Sequence, residues 1–156
     1  MVTSTLDLLP VPRHLEVGDG PATPTREPIV TRNQSLPAEG YELHITPDAI
    51  TIVAADAPGE FYARATLAQL LLQQRAGDAP PAVTIRDWPD LPVRGVMLDV
   101  SRDKVPTTDT LYALIDRLAS WKVNQVQLYM EHTFAYHDHE DVWRAASPFT
   151  ADEIRA

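Results

Sequence analysis

The stretch VRGVMLDVSR, residues 93–102, sets Arg94 near its start and Asp99 and Arg102 at its end, around an apolar middle. These side chains suit polar recognition. A guanidinium carries a rigid fork of donors that can grip two neighbouring oxygens, and a carboxylate accepts from hydroxyls. The plainer alternative is an Arg94–Asp99 ion pair, with Arg102 in a rim salt bridge. A second cluster, HDHED at 137–141, gathers two histidines and three carboxylates, a set that suits a divalent ion. With no cysteine and no second histidine-bearing site to complete a shell, it reads as a solvated loop, and no metal or other cofactor is expected. Asp152-Glu153 is the single Asp-Glu dipeptide, and it falls in TADEIRA, which reads as a helix start capped by Thr150.

These residues need elements to hold them. LDLLPVP (6–12) reads as an extended lead-in, and the Pro- and Gly-rich stretch from Gly18 to Pro37 as loop with at most one short strand near PIVTR. YELHI (41–45) and AITIVA (49–54) alternate apolar and polar residues around TPDA, which predicts two half-buried strands and a tight turn. GEFYARATLAQLLLQQ (59–74) changes to a helical period. Phe61, Ala65, Ala68 and Leu72 form its expected buried stripe, widened by Tyr62, Leu67 and Leu71. VTIRDWPD (83–90) reads as a further strand.

After Pro92, VRGVMLDV reads as a strand and residues 107–124 as a helix with Leu111, Leu114, Ile115 and Leu118 inward. QVQLYME (125–131) reads as a second strand. Strand, helix and strand in this order predict a βαβ unit with parallel strands.

A net charge of −9, from 22 acidic and 13 basic residues, argues against nucleic acid or an anionic membrane as partner. The first twenty residues hold no basic start followed by an apolar run, so a cytoplasmic location is expected. No apolar run approaches the length of a membrane span.

Three segments together resemble the family 20 glycoside hydrolases, the β-N-acetylhexosaminidases: LLPVPRHLEV, GEFYARATLAQLLLQ and IRDWPDLPVRGVMLDVSRDKVPTTDTLYALIDRLASWKVNQVQLYM. The D-x-P-x-x-x-x-R-G spacing, the L-D-V-x-R strand end and the later K-x-N form a long ordered set. The resemblance implies an α/β chain of two parts. Residues 1–88 would be a small zincin-like accessory domain, a sheet with one long helix. Residues 89–156 would begin a (β/α)8 barrel, cut short after two strands. No H-E-x-x-H occurs, so "zincin-like" concerns shape alone.

The resemblance also implies a terminal N-acetylhexosamine of a glycan as substrate and hydrolysis assisted by the substrate's own acetamido group, outside the usual two-carboxylate scheme. Arg94 matches the family arginine that holds sugar hydroxyls, and Asp99 is expected as its inward partner. Where typical members carry a His and, three residues on, an Asp, this chain has Tyr129 and His132. Glu131 and His132 are therefore expected at the pocket, with a loop-anchoring pair as the alternative. Tyr136 and Trp143 suit either stacking on sugar or pinning the loop, while Trp88 and Trp121 suit packing. No Asp-Glu pair sits at a strand end, so the chain alone is expected to be a truncated, inactive piece of a hydrolase. A non-catalytic carbohydrate-binding or assembly module is the alternative. Oligomeric state is not legible.

Overall fold

Alternation of apolar and polar residues builds the first of two units. The computed structural model describes residues 6–22, 27–74, 79–102 and 104–155. The first unit takes the chain up to Pro92 together with Ser120–Lys122. In β3 (Tyr41–Ile45) and β4 (Ile50–Ala54), Tyr41, Leu43, Ile45, Ile50, Ile52 and Ala54 all point into the core. The hairpin between them closes where Thr46 N–H donates to Ala49 O at 3.0 Å.

β5 (Pro81–Asp87) pairs antiparallel with β3 and with β1 (His14–Pro21), while β2 (Ile29–Arg32) runs parallel to β4. The sheet order is β1-β5-β3-β4-β2. One face carries α1 (Ala57–Leu72), and Leu43, Ile52, Leu70 and Ile85 are fully enclosed between the layers. Burial of each such side chain is worth about 1.5–3 kcal/mol.

Two expectations change here. β1 continues through Gly18, Asp19 and Gly20, residues read as loop from their composition. Pairing with β5 on either side, at His14–Val17 and at Pro21, carries the strand across an irregularity at these residues. In α1 the buried face is Gly59, Tyr62, Ala63, Thr66, Leu67 and Leu70, whereas Phe61, Leu71 and Leu72 are exposed. The helix is apolar nearly all round, so periodicity alone offers more than one stripe. Close approach at Gly59 selects among them: a Cβ there would lie 2.4 Å from Gly40 O. Asp56 caps the same end, its Oδ1 accepting Gly59 N–H at 2.8 Å and its Oδ2 accepting Glu39 N–H at 2.9 Å.

The second unit comprises Val93–Ala119 and Val123–Ala156. β6 (Gly95–Asp99), α2 (Thr108–Ser120) and β7 (Gln125–Tyr129) follow in order, and β6 and β7 pair in parallel from Gly95↔Gln125 to Asp99↔Tyr129. A helix between parallel strands is the crossover connection that parallel pairing requires. Val100, Leu111 and Phe149 form a small core with Leu98, Val105, Leu128, Met130 and Phe134 against it. Leu118 of α2 is also buried and Leu114 half-buried, whereas Ile115, expected inward, is exposed. Two short helices follow, α3 (Glu140–Trp143) and α4 (Ala151–Arg155). Among the described residues, no helix is long and apolar enough to cross a membrane.

Candidate functional site

Parallel pairing brings the C-terminal ends of β6 and β7 side by side, with Asp99 opposite Tyr129. The chain immediately beyond each strand adds Ser101 and Arg102 on one side and Glu131 on the other. Asp99 Oδ1 accepts from Ser101 N–H at 2.8 Å and Ser101 Oγ at 2.6 Å, a turn that fixes the carboxylate over the strand end. These bonds, chiefly the hydroxyl's, hold the Asp99 carboxyl below the usual carboxylate range. Its other oxygen lies 4.0 Å from Arg102 Nε, and Glu131 Oε1 lies 3.8 Å from Arg102 Nη2. Tyr129 OH donates to the same Glu131 oxygen at 3.1 Å, which raises the phenol's pKa above its ordinary value.

The result is a guanidinium flanked loosely by two carboxylates at one rim. Arg102 is 71% exposed, and neither contact is short, so its donor fork remains available to an incoming pair of oxygens. Each carboxylate can accept from a hydroxyl whose oxygen in turn accepts from the guanidinium. The arrangement suits a polyol.

Of the residues expected from sequence, Asp99 and Glu131 share this rim, and His132 follows Glu131 as an exposed side chain. Arg94 does not join them. It precedes Gly95 at the N-terminal end of β6, about 16 Å along the strand from Asp99. There its backbone N–H donates to Asn124 Oδ1 at 2.8 Å, and Asn124 N–H returns a bond to Arg94 O at 3.0 Å. An Arg94–Asp99 ion pair would have to span the same length of strand. Arg102, expected to be a structural rim residue, is the guanidinium that the strand direction delivers beside the carboxylates. Tyr129 and Ser101 were missed as partners. The D-x-S spacing signals the Asp99 turn, but the Tyr129 contact depends on geometry beyond β7.

The HDHED segment holds an exposed His137–Asp138 pair at 2.8 Å, and among the described residues no group of three or more His, Cys, Asp or Glu side chains could hold a metal ion. Tyr136 and Trp143 pin this loop: Trp143 Nε1–H donates to Tyr136 O at 2.9 Å, and Tyr136 packs edge-on against Phe134 at 5.1 Å. Asp152-Glu153 opens α4, and Glu153 Oε2 accepts from both Thr150 N–H and Thr150 Oγ at 2.7 Å. That carboxylate is a helix cap. In the first unit, Trp88 lies under the Arg13 guanidinium at 4.6 Å and near that of Arg86 at 5.5 Å, a packed rather than an open ring.

Residues 11–88 match the model of glycosyl hydrolase family 20, domain 2. The chain belongs to glycosyl hydrolase family 20. It is 34% identical over 113 residues to the N,N'-diacetylchitobiase of Vibrio harveyi, an alignment covering 72% of this chain and 13% of that protein. It is 29% identical over 130 residues to a beta-hexosaminidase of Akkermansia muciniphila, covering 82% of this chain and 26% of that one. Among solved structures, a family 20 beta-N-acetylglucosaminidase superposes with a TM-score of 0.80 at 28% identity, covering 97% of this chain and 39% of the other. The family 20 chain described here therefore spans a small part of the length of the relatives it matches.

Proposed function

We propose that this chain is the N-terminal part of a β-N-acetylhexosaminidase and that its rim of Asp99, Arg102 and Glu131, with His132 beside it, holds the hydroxyls of a terminal N-acetylhexosamine. The observation that carries this reading is Arg102 set between Asp99 and Glu131 at the C-terminal ends of two parallel strands. In (β/α)8 enzymes the active site forms at that end of the strands. On this reading the first unit is the zincin-like accessory domain, and β6-α2-β7 is the opening strand, helix and strand of the barrel. Hydrolysis would proceed with the acetamido oxygen of the sugar attacking the anomeric carbon as the glycosidic bond breaks and the leaving oxygen takes up a proton; water would then open the cyclic intermediate, releasing the sugar and returning the proton. The part played by these residues is to bind and orient the sugar ring. No catalytic acid is assigned among the described residues, because Glu153 of the one Asp-Glu dipeptide is committed to capping α4.

The 156-residue chain is thus expected to bind the sugar without cleaving it. Titration of the isotope-labelled chain with N-acetylglucosamine should shift the amide resonances of Asp99–Arg102 and Tyr129–His132. An aryl N-acetyl-β-glucosaminide should remain intact in the same sample. Shifts confined to the opposite strand ends, around Arg94 and Asn124, would overturn the placement of the site, and turnover would overturn the division of labour.

A further inference from the structure

Two residues of the motifs that carry the family resemblance, Asp87 of D-x-P and Lys122 of K-x-N, lie outside the rim and meet in the first unit. Asp87 ends the inward row of β5, and its side chain is 10% exposed. A carboxylate there needs a partner, because an isolated buried charge is strongly disfavoured. Lys122 Nζ lies 2.8 Å from Asp87 Oδ2 and donates to Tyr41 OH at 2.9 Å. It also stands 5.0 Å from the Tyr41 ring centroid, within reach of a cation–π contact. Tyr41 OH is in turn 2.7 Å from Thr66 Oγ1, and Arg13 N–H donates to Asp87 Oδ1 at 3.2 Å. Asp87, Tyr41 and Thr66 are thereby held by β5, β3 and α1, and the lead-in to β1 bonds the second oxygen of Asp87.

Lys122 itself has φ +63°, a conformation that a side chain with a Cβ adopts at a cost. Such strain persists where the surroundings fix it. The acceptors are anchored by sheet and helix, and the lysine is the strained member that reaches them.

We propose that Asp87, Tyr41 and Thr66 form a preformed pocket for a primary ammonium group, and that Lys122 is its resident ligand. The pocket selects a compact cation with several N–H donors. A guanidinium is broader and planar, and a quaternary ammonium has no donor for Asp87 or Tyr41.

Chemical rescue tests this in the full chain. Lys122→Ala should lower the thermal midpoint by roughly 10 °C, as loss of one partner of a buried pair does in a chain of this size. n-Propylammonium, which replaces Cγ to Nζ, should then restore at least half of that loss and saturate with concentration. Tetramethylammonium at equal ionic strength should restore none, and rescue should vanish in Asp87→Asn/Lys122→Ala. An equal response to both cations, or no rescue of a folded Lys122→Ala chain, overturns the proposal. Should Lys122→Ala fail to fold, the unaltered chain decides. Its Lys122 ammonium should give a slowly exchanging ¹⁵N-coupled proton signal at neutral pH, and rapid exchange with solvent would refute the pocket.

Discussion

Asp99 is the residue whose environment is most sharply defined at the rim. Two donors from Ser101 stabilise its charged form, so its carboxyl titrates below the usual range. Because the folded value lies below the unfolded one, this stabilisation is fully present above about pH 4 and fades as the pH falls through the folded midpoint. Carboxyl-carbon NMR should report that low midpoint, and Ser101→Ala should raise it towards the ordinary value. An unchanged midpoint would assign the shift to another cause. Tyr129 behaves in the opposite sense: Glu131 favours its protonated form, so that contact holds at neutral pH and is lost as alkaline conditions ionise the phenol. That Asp99 and Glu131 end or follow their strands as polar residues was legible in the sequence. That Arg102, and not Arg94, lies beside them was not, because both flank the same apolar run and only strand direction separates them.

At the scale of elements, α1 shows how one cap and one close contact set a helix. Asp56 satisfies two backbone donors, those of Gly59 and Glu39. Asp56→Ala is expected to cost about 1 kcal/mol or somewhat more in urea unfolding. Gly59→Ala should cost more than Asp56→Ala, because its Cβ would meet the backbone oxygen of Gly40, which cannot swing aside as a side chain would. The reverse order would mean that α1 shifts freely on the sheet. The strands at 41–45 and 50–54 were legible because strict alternation allows one register. The buried face of α1 was obscured by LAQLLL, where apolar residues occupy several stripes at once. β1 was obscured by glycine and proline, which depress strand signals even where pairing prevails.

Across the whole molecule, the two units differ in how much apolar surface each encloses. Among the described residues, the buried cluster of the first holds fourteen residues and that of the second three, with Val96 and Met97 of β6 exposed. Local stability follows buried contacts, so amides of β3, β4 and β5 should exchange with solvent far more slowly than those of β6 and β7. Equal protection would show that the second unit is stabilised by more than its own small core. The family 20 motifs were readable from end to end, yet several of their residues do structural work. Asp87 pairs with Lys122, and Asn124 bonds the backbone of Arg94. Sequence marks such positions as special without saying whether they bind a ligand or the chain itself.

The proposal that the rim binds sugar is tested most directly by comparing N-acetylglucosamine affinity in two single variants. Arg102→Ala removes charge-assisted hydrogen bonds and should weaken binding by about tenfold or more, while Arg94→Ala should leave it within about twofold. The contrary result, binding lost with Arg94 and retained without Arg102, would move the site to the other end of β6.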